Sequence, residues 1–188
     1  MTADAEAAAG TGRDAILRAA RRAFTLRPYA EVTMRGIAAD AGVSASLIVK
    51  RFGTKEQLFD TVTDFGPAAD ELFDAPLDEL GRHMVRTLVR TRREHGIDLL
   101  LRVVFSLGNQ DERSVLKERF REQVTARLVT QLDGDERELR AELIVGLLLG
   151  LGAAMSLHRD TGATEKAEIE HLVDLYAPAV ERLVVVRA

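Results

Sequence analysis

Apolar residues recur at spacings of three and four almost throughout this chain, and no useful length of it alternates apolar and polar positions as a half-buried strand would. The pattern predicts a first helix over about residues 11–26, with Ile16, Ala20, Ala23 and Phe24 on one face and Arg18, Arg21 and Arg22 elsewhere. The segment RPYAEV (27–32) breaks it. Thr33 then caps a short helix, MRGIAADA, because its hydroxyl can accept from an early amide. Gly42 ends that helix where a left-handed residue is wanted, Ser44 caps a helix over 45–51, and Thr54 with Gln57 forms a capping box for another. Beyond Phe65 the texture changes, and GPAADELFDAP (66–76) reads as a loose connection. Helices follow over about 77–94, 97–107 and 111–132, then from an Asp135/Glu138 cap to about His158, and from Thr164 towards Arg182. Pro178 lies inside the last pattern and, lacking an N–H, is expected to kink or restart the helix near Tyr176. The expected fold is all-α, with about nine helices. It divides into a disordered tail over 1–10, an N-terminal three-helix domain over 11–65 and a C-terminal helical domain over 66–188.

Composition narrows the classes. At 188 residues, 46% hydrophobic and 30% charged, the chain has the balance of a soluble globular protein with a sizeable core. It has no cysteine, which excludes disulfides and thiolate metal sites. The opening MTADAEAAAG lacks the apolar centre of a secretory signal, so a cytoplasmic protein is expected. LIVGLLLGLGAAMSL (143–157) is uncharged over fifteen positions, but Glu142 and Arg159 close it before the roughly 20 residues a membrane span needs. A buried or interface helix is expected there, and no membrane partner.

Charge changes the picture more. The net charge of −4 is unevenly spread: Arg13 to Lys55 holds nine basic and three acidic side chains, a local +6, and residues 56–188 a local −8. That asymmetry suits an N-terminal part facing a polyanion and a body that avoids it. Within the basic part, Ala38 is small enough for two helices to press together, Gly42 makes the sharp turn, and Val43 and Ile48 pin the crossing with Ile37. This is the internal logic of a helix-turn-helix. If the helix over 45–51 lies in a major groove, its early residues meet base edges, and the capped helix starts at Thr33, Ser44 and Thr54-Lys55 meet phosphate. An αα-corner that binds nothing is the plainer reading of the turn alone.

A longer match bears on the choice. Ile16-Leu17, Ala19-Ala20, Phe24, Thr33, Ile37-Ala38, Ala41-Gly42-Val43-Ser44, Phe52, Lys55-Glu56 and Leu58-Phe59 resemble the TetR family of transcriptional regulators over about residues 11–60. The resemblance implies a homodimer that binds a near-palindromic double-stranded DNA operator, usually to repress, until a small molecule enters the C-terminal domain. Carried over by position, Thr33, Arg35, Ser44, Ala45, Ser46, Val49, Lys50 and Lys55 are expected to face DNA. One departure matters: the family usually has an aromatic, most often Tyr, where this chain has Val49, and His or Tyr where it has Arg51. Val cannot donate to a phosphate, though it can touch a thymine methyl, and Lys50-Arg51 can replace the lost contact with charge.

In the body, small residues at Gly146, Gly150 and Ala154 line one helix face beside Leu147 and Leu151, and Leu172, Leu175, Tyr176, Ala179 and Leu183 face them from the last helix. Within the family these form the dimer interface; an intrachain core is the plainer alternative. Candidates for an effector pocket are Met84, Leu88, Val103, Phe120, Val124, Leu148 and Met155, each of which also suits plain core. Few aromatics and few buried polar groups suggest a hydrophobic or amphipathic effector. The four histidines (83, 95, 158, 171) lack metal-site spacing, so neither metal nor cofactor is expected. An enzyme would need a nucleophile–base pair or a metal cluster, and the sequence offers neither. The remaining alternative is a helical dimeric protein-interaction module with weakened DNA binding, for which Val49 is the supporting hint.

Overall fold

Helix caps set where the first elements begin. The computed structural model describes residues 3–95, 110–158 and 166–185, which divide into two compact units, 3–64 with 110–116, and 65–95 with 117–158 and 166–185. Helix α1 (Ala3–Leu26) leads into a 3-10 turn (Tyr29–Glu31), then α2 (Met34–Ala41), α3 (Ala45–Phe52) and α4 (Lys55–Val62). Then come α5 (Gly66–Leu72), α6 (Leu77–His95), α7 (Gln110–Phe120), a π-helical segment (Arg121–Thr125), α8 (Ala126–Gln131), α9 (Arg137–His158) and α10 (Lys166–Val184). Every one of these elements is helical, so the all-α expectation holds for the described residues.

Four details differ from the sequence reading. Residues 3–10, expected as a tail, continue α1; Ala3, Ala5 and Ala7–Ala9 give that stretch the strongest helix propensity available. The loose connection at 66–76 contains α5, because Pro67 stands in its first turn, where a missing N–H costs nothing, and Ala69 and Leu72 find burial. Arg140 N–H donates to the Glu136 carbonyl at 2.9 Å, so Glu136, held left-handed at φ 55°, starts α9 in place of Asp135. Finally, α10 runs through Pro178 without restarting. The helix expected over 97–107 lies outside the described residues.

The π segment explains itself through spacing. Phe120, Val124 and Leu128 are four residues apart and all buried. An unbroken α-helix, at about 100° per residue, would carry the third some 80° round from the first. One wide turn takes up the surplus and keeps the row together.

The N-terminal core gathers Ile16, Ala20 and Ala23 of α1 with Val32, Ile37, Ile48, Leu58 and Val62. In the body, α6 packs most extensively on α10, joining Leu80, Met84, Val85, Leu88 and Val89 to Val173, Ala177, Val180 and Val184. Gly81 permits that crossing: a Cβ there would stand 2.9 Å from the Glu181 backbone. Along its edge Arg86 binds Glu170 in a fork at 3.1 and 2.9 Å, and Arg82 reaches Asp174. Arg140 is buried, with no carboxylate paired to it among the described residues, and donates to the carbonyls of Leu183, Val184 and Asp133, satisfying the end of α10 and the turn before α9.

Candidate nucleic-acid interface

The turn between α2 and α3 is tied by backbone bonds on both sides of a left-handed glycine. Gly42 has φ 66° and ψ 31°, and its N–H donates to Ala39 at 3.2 Å while that of Val43 donates to Ala38 at 3.0 Å. This is the Schellman arrangement, which wants glycine for its conformation. Nothing among the described residues would touch a Cβ at Gly42, so φ alone sets the requirement. The Ser44 hydroxyl accepts from Leu47 N–H at 3.2 Å and lies 3.0 Å from the Ser46 hydroxyl. Ile37 and Ile48 are wholly buried where the helices cross. The outward face of α3 therefore shows Ser46, Val49 and Lys50, with Val49 54% exposed. Ala45 is half-buried against the core, and Arg51 lies back towards α1, its Nη1 3.9 Å from where a Gly12 Cβ would be.

Two neighbouring helices begin in the same way. Thr33 accepts from Gly36 N–H at 3.0 Å, leaving Arg35 exposed in the first turn of α2. Thr54 accepts from Gln57 N–H at 3.3 Å and the Gln57 side chain accepts back from Thr54 N–H at 2.9 Å, closing the capping box at α4. The start of α2 leaves early amides and a partial positive charge outward, which suits an anion, whereas at α4 the Glu56 carboxylate takes its own amide.

Lys55 has a partner that sequence reasoning missed. Its Nζ stands 4.0 Å from the centroid of the Tyr29 ring, and the Tyr29 hydroxyl donates to Glu56 Oε1 at 3.0 Å. The Glu56 carboxyl is held below the usual range by its own backbone N–H, then by Thr54 and Tyr29. Phe24 stacks on Tyr29 at 5.7 Å, and Phe59 meets it edge-on at 5.1 Å. The one available signal was a tyrosine, one of two in the chain, placed in the break between helices.

In the body, the small-residue stripe is on the surface. Gly146, Gly150 and Ala154 are exposed, and Leu139, Leu143 and Leu157, which the sequence reading left out, extend the same row at three- and four-residue steps. Leu151 is buried within the chain, and Leu147 half-buried. On α10 Leu175 is 69% exposed, while Leu172, Tyr176, Ala179 and Leu183 are half-buried. The Tyr176 hydroxyl donates to the Leu147 carbonyl at 2.7 Å, cross-linking α9 and α10. By length and composition α9 could cross a membrane, although a third of that window is already buried inside the fold.

The pocket candidates divide. Phe120, Val124 and Leu148 line a small apolar crevice with Leu72, Phe73, Leu128 and Val145. Met84 and Leu88 are buried in the α6–α10 core and Met155 is half-buried, while Val103 lies outside the described residues. Among the described residues no group of His, Asp and Glu could hold a metal.

Comparison with known proteins follows the same division. Residues 16–62 match the family model of bacterial regulatory proteins, tetR family, and residues 78–184 match that of the tetracyclin repressor-like C-terminal domain. A TetR-family regulator from Streptomyces coelicolor A3 is 25% identical over 93% of this chain and 95% of its own, with a TM-score of 0.53. A TetR-like transcriptional regulator from Rhodococcus sp. RHA1 is 22% identical over 92% and 93%, with a TM-score of 0.57. The fatty acid degradation regulator FadR from Bacillus halodurans shares the fold at 16% identity and a TM-score of 0.63, over 92% of this chain and 94% of that one. No curated protein matches the chain.

Proposed function

The chain belongs to the TetR family and is a DNA-binding transcription regulator, not an enzyme, and from that premise we propose that it works in the cytoplasm as a homodimeric repressor. It holds a near-palindromic operator and is released by a small hydrophobic or amphipathic effector. The observation that carries the DNA contacts is the outward face of α3, where Ser46, Val49 and Lys50 stand clear of a crossing fixed by Ile37, Gly42 and Ile48. Ser46 and Val49 meet base edges, Val49 through a thymine methyl, with Ser44 and Ala45 at the entry of the helix. Thr33, Arg35, Lys50 and Lys55 meet phosphates. With charge in place of the usual aromatic contact, affinity falls steeply with salt.

Dimerisation is supported by the exposed row on α9, Leu139 to Leu157, beside Leu175 of α10. So continuous an apolar face on a helix otherwise built into a core calls for a cover, and small residues at its centre let a second helix approach closely. The effector would enter near Phe120, Val124 and Leu148, where the present crevice must widen to admit it.

Selection of the full chain against a randomised duplex library at moderate salt tests the reading. Enrichment of a palindrome with two half-sites supports a dimeric sequence reader and supplies the probe for effector screening by release. Recovery of unrelated sequences, with weak salt-sensitive binding only, overturns it. Lys50→Ala and Lys55→Ala must each weaken binding to the enriched duplex, the latter equally across sequences.

A further inference from the structure

Lys55 is held in an unusual way for a side chain offered to an anion. The neighbouring Glu56 carboxylate feels its charge, yet among the described residues no carboxylate stands at ion-pair distance from it. Tyr29 contacts both side chains. Its hydroxyl engages the Glu56 carboxylate at 3.0 Å, and its ring face takes the Lys55 ammonium at 4.0 Å. A ring face attracts a cation through its quadrupole without using up hydrogen-bond acceptors, so the ammonium keeps donors on the side away from the ring. The ring itself is fixed, stacked on Phe24 within 13° of parallel and braced edge-on by Phe59. A long, four-carbon side chain with much rotamer freedom to lose is thereby set in one place before any ligand arrives.

We propose that Tyr29 is a positioning residue for the DNA backbone: its ring holds the Lys55 ammonium at the start of α4. This rests on the reading of Lys55 as a phosphate contact. The ring also packs on Phe24 and Phe59, so its positioning role is read by comparing the same ring changes with and without Lys55.

The test uses the full chain and the enriched duplex, with affinity followed by fluorescence anisotropy over a range of salt. Position 29 carries Phe, then mono-, di- and trifluorophenylalanine, which keep the ring's shape against Phe24 and Phe59 while draining its negative face. Each is made with Lys55 present and with Lys55→Ala. The expected result is a stepwise loss of about two- to fivefold across the series when Lys55 is present. Lys55→Ala should lower the salt slope by about one and leave the fluorinated series flat. A flat series with Lys55 present, or the same loss in both backgrounds, overturns the positioning role, since a merely structural ring would not distinguish them. If the unsubstituted chain binds no duplex, the reading of the whole head as a DNA contact fails with it.

Discussion

Gly81→Ala puts the α6–α10 crossing to a test in which two effects of similar size oppose each other. In the interior of an exposed helix, exchanging Gly for Ala stabilises by about 1 kcal/mol. At Gly81 the added Cβ would stand 2.8 Å from Glu181 Cγ and 2.9 Å from both Glu181 Cα and N. The Cγ can swing aside; the backbone atoms move only if α10 does. Overpacking of this kind costs about 1–3 kcal/mol, and contact with backbone belongs in the upper part of that range. The net is a loss of about 1–2 kcal/mol, taking the propensity gain into account. In a chain of this length that corresponds to a fall in Tm of about 3–6 °C. Urea unfolding followed by circular dichroism at constant slope reads it directly as a lower midpoint. An unchanged or raised midpoint would refute the close crossing, because only an open site lets the propensity gain stand.

Three further outcomes follow from the body. Arg140→Met removes the donors to two carbonyls at the end of α10 and to that of Asp133 in the turn before α9, and should lower stability by about 2–3 kcal/mol in the same urea assay, although the side-chain volume is nearly kept. Glu170 is held below the ordinary 4.5, chiefly by the hydrogen bonds from Arg86. A depressed acid contributes stability above its unfolded value and loses it as pH falls through the folded one. The unsubstituted chain should therefore exceed Glu170→Gln in urea midpoint at neutral pH, with the gap closing below 4.5. Leu175→Glu places a charge on a side chain 69% exposed, so it should leave the monomer's midpoint within about 0.5 kcal/mol while shifting sedimentation from dimer to monomer.

What could be read from the sequence was what depends on neighbours in the chain. The caps at Thr33, Ser44 and Thr54 and the turn at Gly42 were legible because hydroxyl, amide and left-handed glycine act within four residues. The start of α5 was not, since Pro67 reads as a breaker unless its place in a first turn is known. Tyr29 escaped because its partners at 24, 55, 56 and 59 come together only through the tertiary fold. Arg140 resembles an ordinary surface charge in sequence, and its burial depends on the end of a helix forty residues away. Leu139, Leu143 and Leu157 look like ordinary core positions in sequence, and only the fold shows that they are exposed.

The wide turn at 121–125 has a consequence for the length of the chain itself. Phe120, Val124 and Leu128 share a buried row only because that turn absorbs one residue too many. Removing a residue from 121–123 would turn the spacing of four and four into three and four, which an ordinary α-helix keeps on one side. The extra residue is thus one the buried row does not need, and this is the point in the helix where a single deletion can enter an evolving sequence without turning its buried face outward.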